Sequence, residues 1–108
     1  MSAEFYVLFK DVDWLAKNSN KIKEKISKLK TFSVEKNGEF WLLGEELREE
    51  KDRWAYDARL IFCSTHKILI ELSAHPKSIE QDLSLLFGWL RGLTTISVED
   101  EDGDVTNW

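Results

Sequence analysis

WAYDARLIFCSTHKILIELS, from Trp54 to Ser73, holds two runs of alternating character joined by the polar Ser64-Thr65-His66. Trp54, Tyr56, Ala58, Leu60 and Phe62 alternate in the first run and Ile68, Ile70 and Leu72 in the second, the period of two that marks half-buried strands. Register follows from the loop. With Ser64-Thr65-His66 as its three residues, Cys63 faces Lys67 and the apolar members of both strands fall on one side. The opposite side then carries Asp57, Arg59, Glu71 and Ser73, with Arg59 directly across from Glu71. A loop one residue shorter sets Glu71 beside Leu60 and mixes both faces, which disfavours it.

Upstream lies Glu45-Glu46-Leu47-Arg48-Glu49-Glu50-Lys51-Asp52-Arg53, which has one apolar residue and cannot bury a face, so it reads as an exposed loop or a single loose helical turn. Before it, Asn37-Gly38 separates Thr31 to Lys36 from Glu39 to Leu43 and is the strongest hairpin signal in the chain. A two-residue turn sets Val34 opposite Trp41 and Phe32 opposite Leu43, and these four are expected on the core face, with Phe40 and Leu42 on the other. Earlier still, Glu4 to Lys10 has strand length, and Asp11 or Asp13 can cap a helix continuing toward Lys30. Along that helix Leu15, Ile22, Ile26 and Leu29 share one side and Lys17, Lys21, Lys25 and Lys28 another; the lysine row reads as a solvated face. Asn18-Ser19-Asn20 is poor helical sequence and is expected to interrupt it.

Downstream, Ala74-His75-Pro76 closes the long hairpin, and Ser78 with Gln81 matches a capping box opening a helix that Gly92 terminates. Ile79, Leu83, Leu86, Phe87 and Leu90 form its apolar stripe, and Gly88 within it points to close packing against a strand. Thr94 to Val98 is a last strand, which Asp102-Gly103 turns back toward Trp108. The order is strand, helix, four strands, helix, strand. It predicts an α+β fold: an antiparallel or mixed sheet of about six strands with two helices packed on one face. A ferredoxin-like core with an extra hairpin is one topology with this order.

A length of 108 residues, with 43% hydrophobic and 32% charged, one proline and five glycines, predicts a single domain over residues 1–108 with no low-complexity linker. No apolar run reaches the roughly 18 to 20 residues that span a bilayer, and the first residues lack a secretory pattern, so a cytoplasmic protein without membrane contact is expected. Cys63 is the single cysteine, which excludes an internal disulfide.

Chemistry finds little purchase. No P-loop, dinucleotide glycine fingerprint, G-x-S-x-G or H-E-x-x-H is present, so no catalytic residue and no cofactor is expected. Asp57, Arg59 and Glu71 are the best available catalytic grouping, and a cross-strand charge pair explains them more simply. Cys63 and His66 with His75 give at most three zinc ligands where a structural site takes four. The run Glu99 to Asp104 departs from a calcium loop, because aligning Gly103 with the loop's glycine puts Val98 in the first ligand position. No metal is expected.

Charge is uneven beneath the net −5. Residues 1–38 carry eight lysines against five acids, residues 39–57 seven acids against three bases, and residues 93–108 five acids with no base. Repulsion from phosphate opposes nonspecific nucleic-acid binding and favours a basic protein partner. Five tryptophans are many for this length; Trp41 and Trp89 are assigned to the core, while Trp54 and Trp108 flank carboxylate clusters. Aromatics beside charge are the material of interface hot spots. The candidate partner-binding residues are therefore Glu45, Glu46, Glu49, Glu50, Asp52 and Trp54 in one segment, and Glu99, Asp100, Glu101, Asp102, Asp104 and Trp108 in the other.

In its size, acidity, cysteine-poor α+β character and tryptophan-bordered carboxylates, the chain resembles the small acidic immunity proteins of bacterial toxin systems, of the contact-dependent inhibition or bacteriocin type. The likeness covers the whole chain and rests on no shared motif. It implies neutralisation of a cognate toxin, a basic nuclease foremost, by occlusion of its active site or substrate channel. Two other classes fit parts of the pattern: an acidic nucleic-acid mimic of phage type acting on a host nuclease or regulator, and a small-molecule-binding domain or enzyme.

Overall fold

Period-two alternation and one tight turn organise most of the chain, as a computed structural model describing residues 3–45, 56–63, 67–73 and 76–108 makes explicit. Its elements are β1 (Ala3–Phe9), α1 (Val12–Ser27), β2 (Phe32–Lys36), β3 (Glu39–Leu42), β4 (Ala58–Phe62), β5 (Lys67–Leu72), α2 (Lys77–Arg91) and β6 (Ile96–Glu99). The strands form one antiparallel sheet in the order β2-β3-β4-β5-β1-β6. A ferredoxin-like core whose middle hairpin is extended by a second hairpin has this order. Both helices cover the same face. Leu15, Ile22 and Ile26 of α1 and Ile79, Leu83, Leu86, Phe87 and Leu90 of α2 share one buried cluster with Val7, Phe40, Leu60, Ile70 and Val98 of the sheet. Each such side chain contributes roughly 1.5 to 3 kcal/mol relative to exposure.

The β4–β5 register is the one the alternation predicts. Arg59 pairs with Glu71 and Leu60 with Ile70, and the Cys63 thiol lies 3.7 Å from the Lys67 carbonyl. Ser64, Thr65 and His66 lie outside the described residues, as do Ala74 and His75.

The β2–β3 hairpin differs in its facing. Asn37 and Gly38 hold φ angles of 55° and 82°, as a type I′ turn needs, and Val34 does pair with Trp41. Yet Phe40 and Leu42 are the buried residues, and Val34 is 39% exposed. Two contacts reverse the expectation. β3 pairs on its far side with β4, where Phe40 meets Leu60 and Leu42 meets Ala58, so its facing is inherited from the long hairpin. The register also shifts between Phe32 and Val34, which sends Phe32 inward opposite Leu42 while Val34 stays outside. Trp41, assigned to the core from sequence, therefore stands on the helix-free face, 5.1 Å from the Tyr56 ring.

Both helices also correct expectations. Asp11 caps α1 by accepting the Trp14 amide at 3.1 Å, and the helix runs unbroken through Asn18-Ser19-Asn20. Burial of Leu15, Ile22 and Ile26 outweighs the weak propensity between them, and Asn18 Nδ2 donates back to the Trp14 carbonyl at 2.8 Å. In α2 the cap position is Pro76, whose side chain caps nothing; Ser78 is already inside the first turn, its Oγ accepting the Glu45 amide at 3.0 Å. Gly88 does not pack against a strand. It is exposed, and a Cβ there would meet nothing within 4 Å. Asp82, buried on α2, ties this helix to the start of β2 through the Thr31 amide at 2.9 Å and the Thr31 hydroxyl at 2.6 Å.

Candidate protein-interaction surface

Register fixes where the two candidate acidic segments emerge. Leu42, Ala58, Leu72 and Ala3 lie in one row across β3, β4, β5 and β1, and Glu99 lies beside Tyr6 of β1, with β6 running toward that same row. Leu43 to Glu45, after β3, and the residues after β6 therefore leave from the same end of the sheet. β4, β5 and β1 stand between them, a separation of about 19 Å at the usual strand spacing.

The turn after β6 is built around Asp100. Its Oδ1 accepts the amides of Asp102 and Asp104 at 3.0 Å each, its backbone bonds to Asp104 and Gly103, and Gly103 takes a φ of 84° that a side chain would strain. Folded this way, Glu101, Asp102 and Asp104 are exposed, and Glu99 and Asp100 are half-buried at the base. Among the described residues the ion pairs are Lys28–Glu24, Arg59–Glu39 and Arg59–Glu71, so no cation neutralises this tip. Asp100, Asp102 and Asp104 each bring one carboxylate oxygen within 4.8 Å of the others.

Other candidates are placed differently. Glu45 is exposed and borders a groove that Lys25, Lys28 and Lys30 help to line. Glu46, Glu49, Glu50, Asp52 and Trp54 lie outside the described residues. Trp108 is half-buried, its ring 5.0 Å from Phe5 and 5.5 Å from Phe87, where it closes the core between the sheet and α2. Arg91 donates to its backbone oxygen. The structure thus gathers Glu99 to Asp104 in one turn, while the Trp108 ring packs against Phe5 and Phe87.

On the helix-free face Arg59 bonds Glu71 at 2.5 Å and Glu39 at 3.1 Å and lies over the Tyr56 ring. The hydrogen bond to Glu71 is the main cause raising the guanidinium pKa, against the opposing effect of burial. Because the folded value is raised, the guanidinium contributes its stabilisation throughout the neutral range, and that contribution fades as pH rises into strong alkali. Sequence reasoning found Arg59 and Glu71 but missed Glu39, whose signal was its alternation with Trp41 once β3 is registered on β4. Asp57, expected beside Arg59, is instead fully buried, its Oδ2 accepting the Gly44 amide at 2.7 Å. The chain bends before β4 begins at Ala58, so Asp57, Arg59 and Glu71 do not converge.

No protein-family model, curated protein or solved structure matches the chain. Among the described residues no helix is long and apolar enough to cross a membrane.

Proposed function

We propose that this chain is an immunity-type protein that binds and neutralises a positively charged toxin domain, a nuclease foremost, by setting the acidic turn 99–104 into its active site or substrate channel. One observation carries the reading. Five carboxylates are gathered in that turn, its three outermost side chains are exposed, and none enters an ion pair among the described residues. A nuclease cleft is basic because it binds phosphate, so such a turn can steer into it and occupy it. The same charge opposes binding to nucleic acid itself. A cytoplasmic setting in a bacterium follows from this role. A nucleic-acid mimic would instead want carboxylates spaced along an elongated face, and the turn is compact.

Expression of the protein encoded beside this chain tests the proposal. That neighbour is expected to be basic, to arrest growth when produced alone, and to be tolerated when this chain is produced with it. Loss of protection in the variant Glu101→Gln, Asp102→Asn, Asp104→Asn is the second expected result. A harmless neighbour, or protection that survives this neutralisation, would overturn the proposal.

A further inference from the structure

A hollow of about 810 Å³ lies along the exposed side of α2, and Leu85, Gly88 and Trp89 form part of its wall. A second hollow of about 470 Å³ shares Leu85 and Trp89 with it and extends to Leu29 beside α1. Together they make one groove with an apolar floor. Leu85 is 64% exposed and lines both hollows beside Trp89, so the outward apolar surface is contiguous. Gly88 adds an independent signal. It sits inside a helix where alanine is favoured, and no neighbour in this chain requires the missing Cβ. A glycine there lets another backbone approach the helix closely.

Among the described residues the rim has the opposite sign from the protein as a whole. Lys25 lies over the Trp89 ring at 5.6 Å, Lys28 and Lys30 follow it, and Lys77 stands at the far end. Lys17 and Lys21 continue the same side of α1 by helical spacing. Lys28 is shared with Glu24 at 2.9 Å. Among the described residues of the lining, Asp82 is buried on Thr31, and Glu45 and Glu80 stand with four lysines, Lys25, Lys28, Lys30 and Lys77. In a chain of net charge −5 this local excess of cations identifies the complement.

We infer that the groove between α1 and α2 docks an acidic, amphipathic segment of a partner protein, with its apolar side chains on Leu85 and Trp89 and its carboxylates against the lysine rim. The recognition mode is helix-in-groove, distinct in place and in charge from the turn 99–104.

Amide NMR of the full chain titrated with a designed amphipathic peptide, leucines on one face and glutamates on the other, tests this. Saturable shifts at Leu85, Gly88 and Trp89 are expected, with binding weakened roughly tenfold by Leu85→Gln and by Gly88→Leu, and roughly tenfold weaker for a counterpart carrying lysines in place of glutamates. Both substituted positions are exposed, so native-like spectra serve as the folding control. Equal binding of the lysine peptide, shifts confined to other surfaces, unchanged binding by folded variants, or no saturable shift with either peptide would each overturn the inference. So would concentration-dependent shifts along α2 without peptide, accompanied by sedimentation as a dimer, since a second copy would then be the occupant.

Discussion

Gly88 and Asp82 sit on the same helix and carry opposite lessons about single residues. Gly88 faces outward with room for a Cβ, so Gly88→Ala is expected to raise unfolding free energy by about 1 kcal/mol in a denaturant titration. A loss of stability would mean that the open space is not there. Asp82 is buried and accepts both the amide and the hydroxyl of Thr31. Asp82→Ala strands that amide and is expected to cost about 1 to 3 kcal/mol. A stability unchanged within experimental error would contradict the assigned bonds. Neither role was legible in the sequence. Asp82 lies 51 positions from its partner, and Gly88 reads identically whether a strand or solvent covers it.

At the scale of elements, the long hairpin was legible because its alternation and its loop length agree on one register, and Arg59 meets Glu71 as that register demands. The shorter hairpin shows the limit of the same reasoning. Asn37-Gly38 fixed its turn and the Val34–Trp41 pair, but which side faced the core depended on β4 and on a bulge near Ser33 that no local pattern announces. Because Gly38 holds φ at 82°, Gly38→Ala is expected to destabilise by about 1 kcal/mol, read from the denaturation midpoint. An unchanged midpoint would argue for a different turn. The continuous α1 makes the complementary point: three buried side chains on one stripe override a weak stretch of helical propensity.

For the whole molecule, strand order converts sequence positions into a charge map. The α+β class, the six strands and the pairing of helices on one face were readable from periodicity, whereas placing the ends of β3 and β6 at one end of the sheet, three strands apart, required the sheet order. Charge runs located the acidic turn, yet the inward Trp108 ring was unreadable, since its partners Phe5 and Phe87 come from distant segments. The resulting molecule offers an acidic turn at one sheet end and a lysine-rimmed groove across its helices, two surfaces suited to partners of opposite charge.

The rate at which the native chain associates with the partner proposed for it, a basic protein expected to be encoded beside it, measured by stopped flow over rising salt, examines the acidic turn most directly. Comparison is with the variant Glu101→Gln, Asp102→Asn, Asp104→Asn, in which Asp100 is kept because it holds the turn together. The native rate is expected to fall steeply with salt, and the variant to associate roughly tenfold more slowly at low salt with a shallower dependence. Equal rates and equal salt slopes for the two proteins would contradict the account.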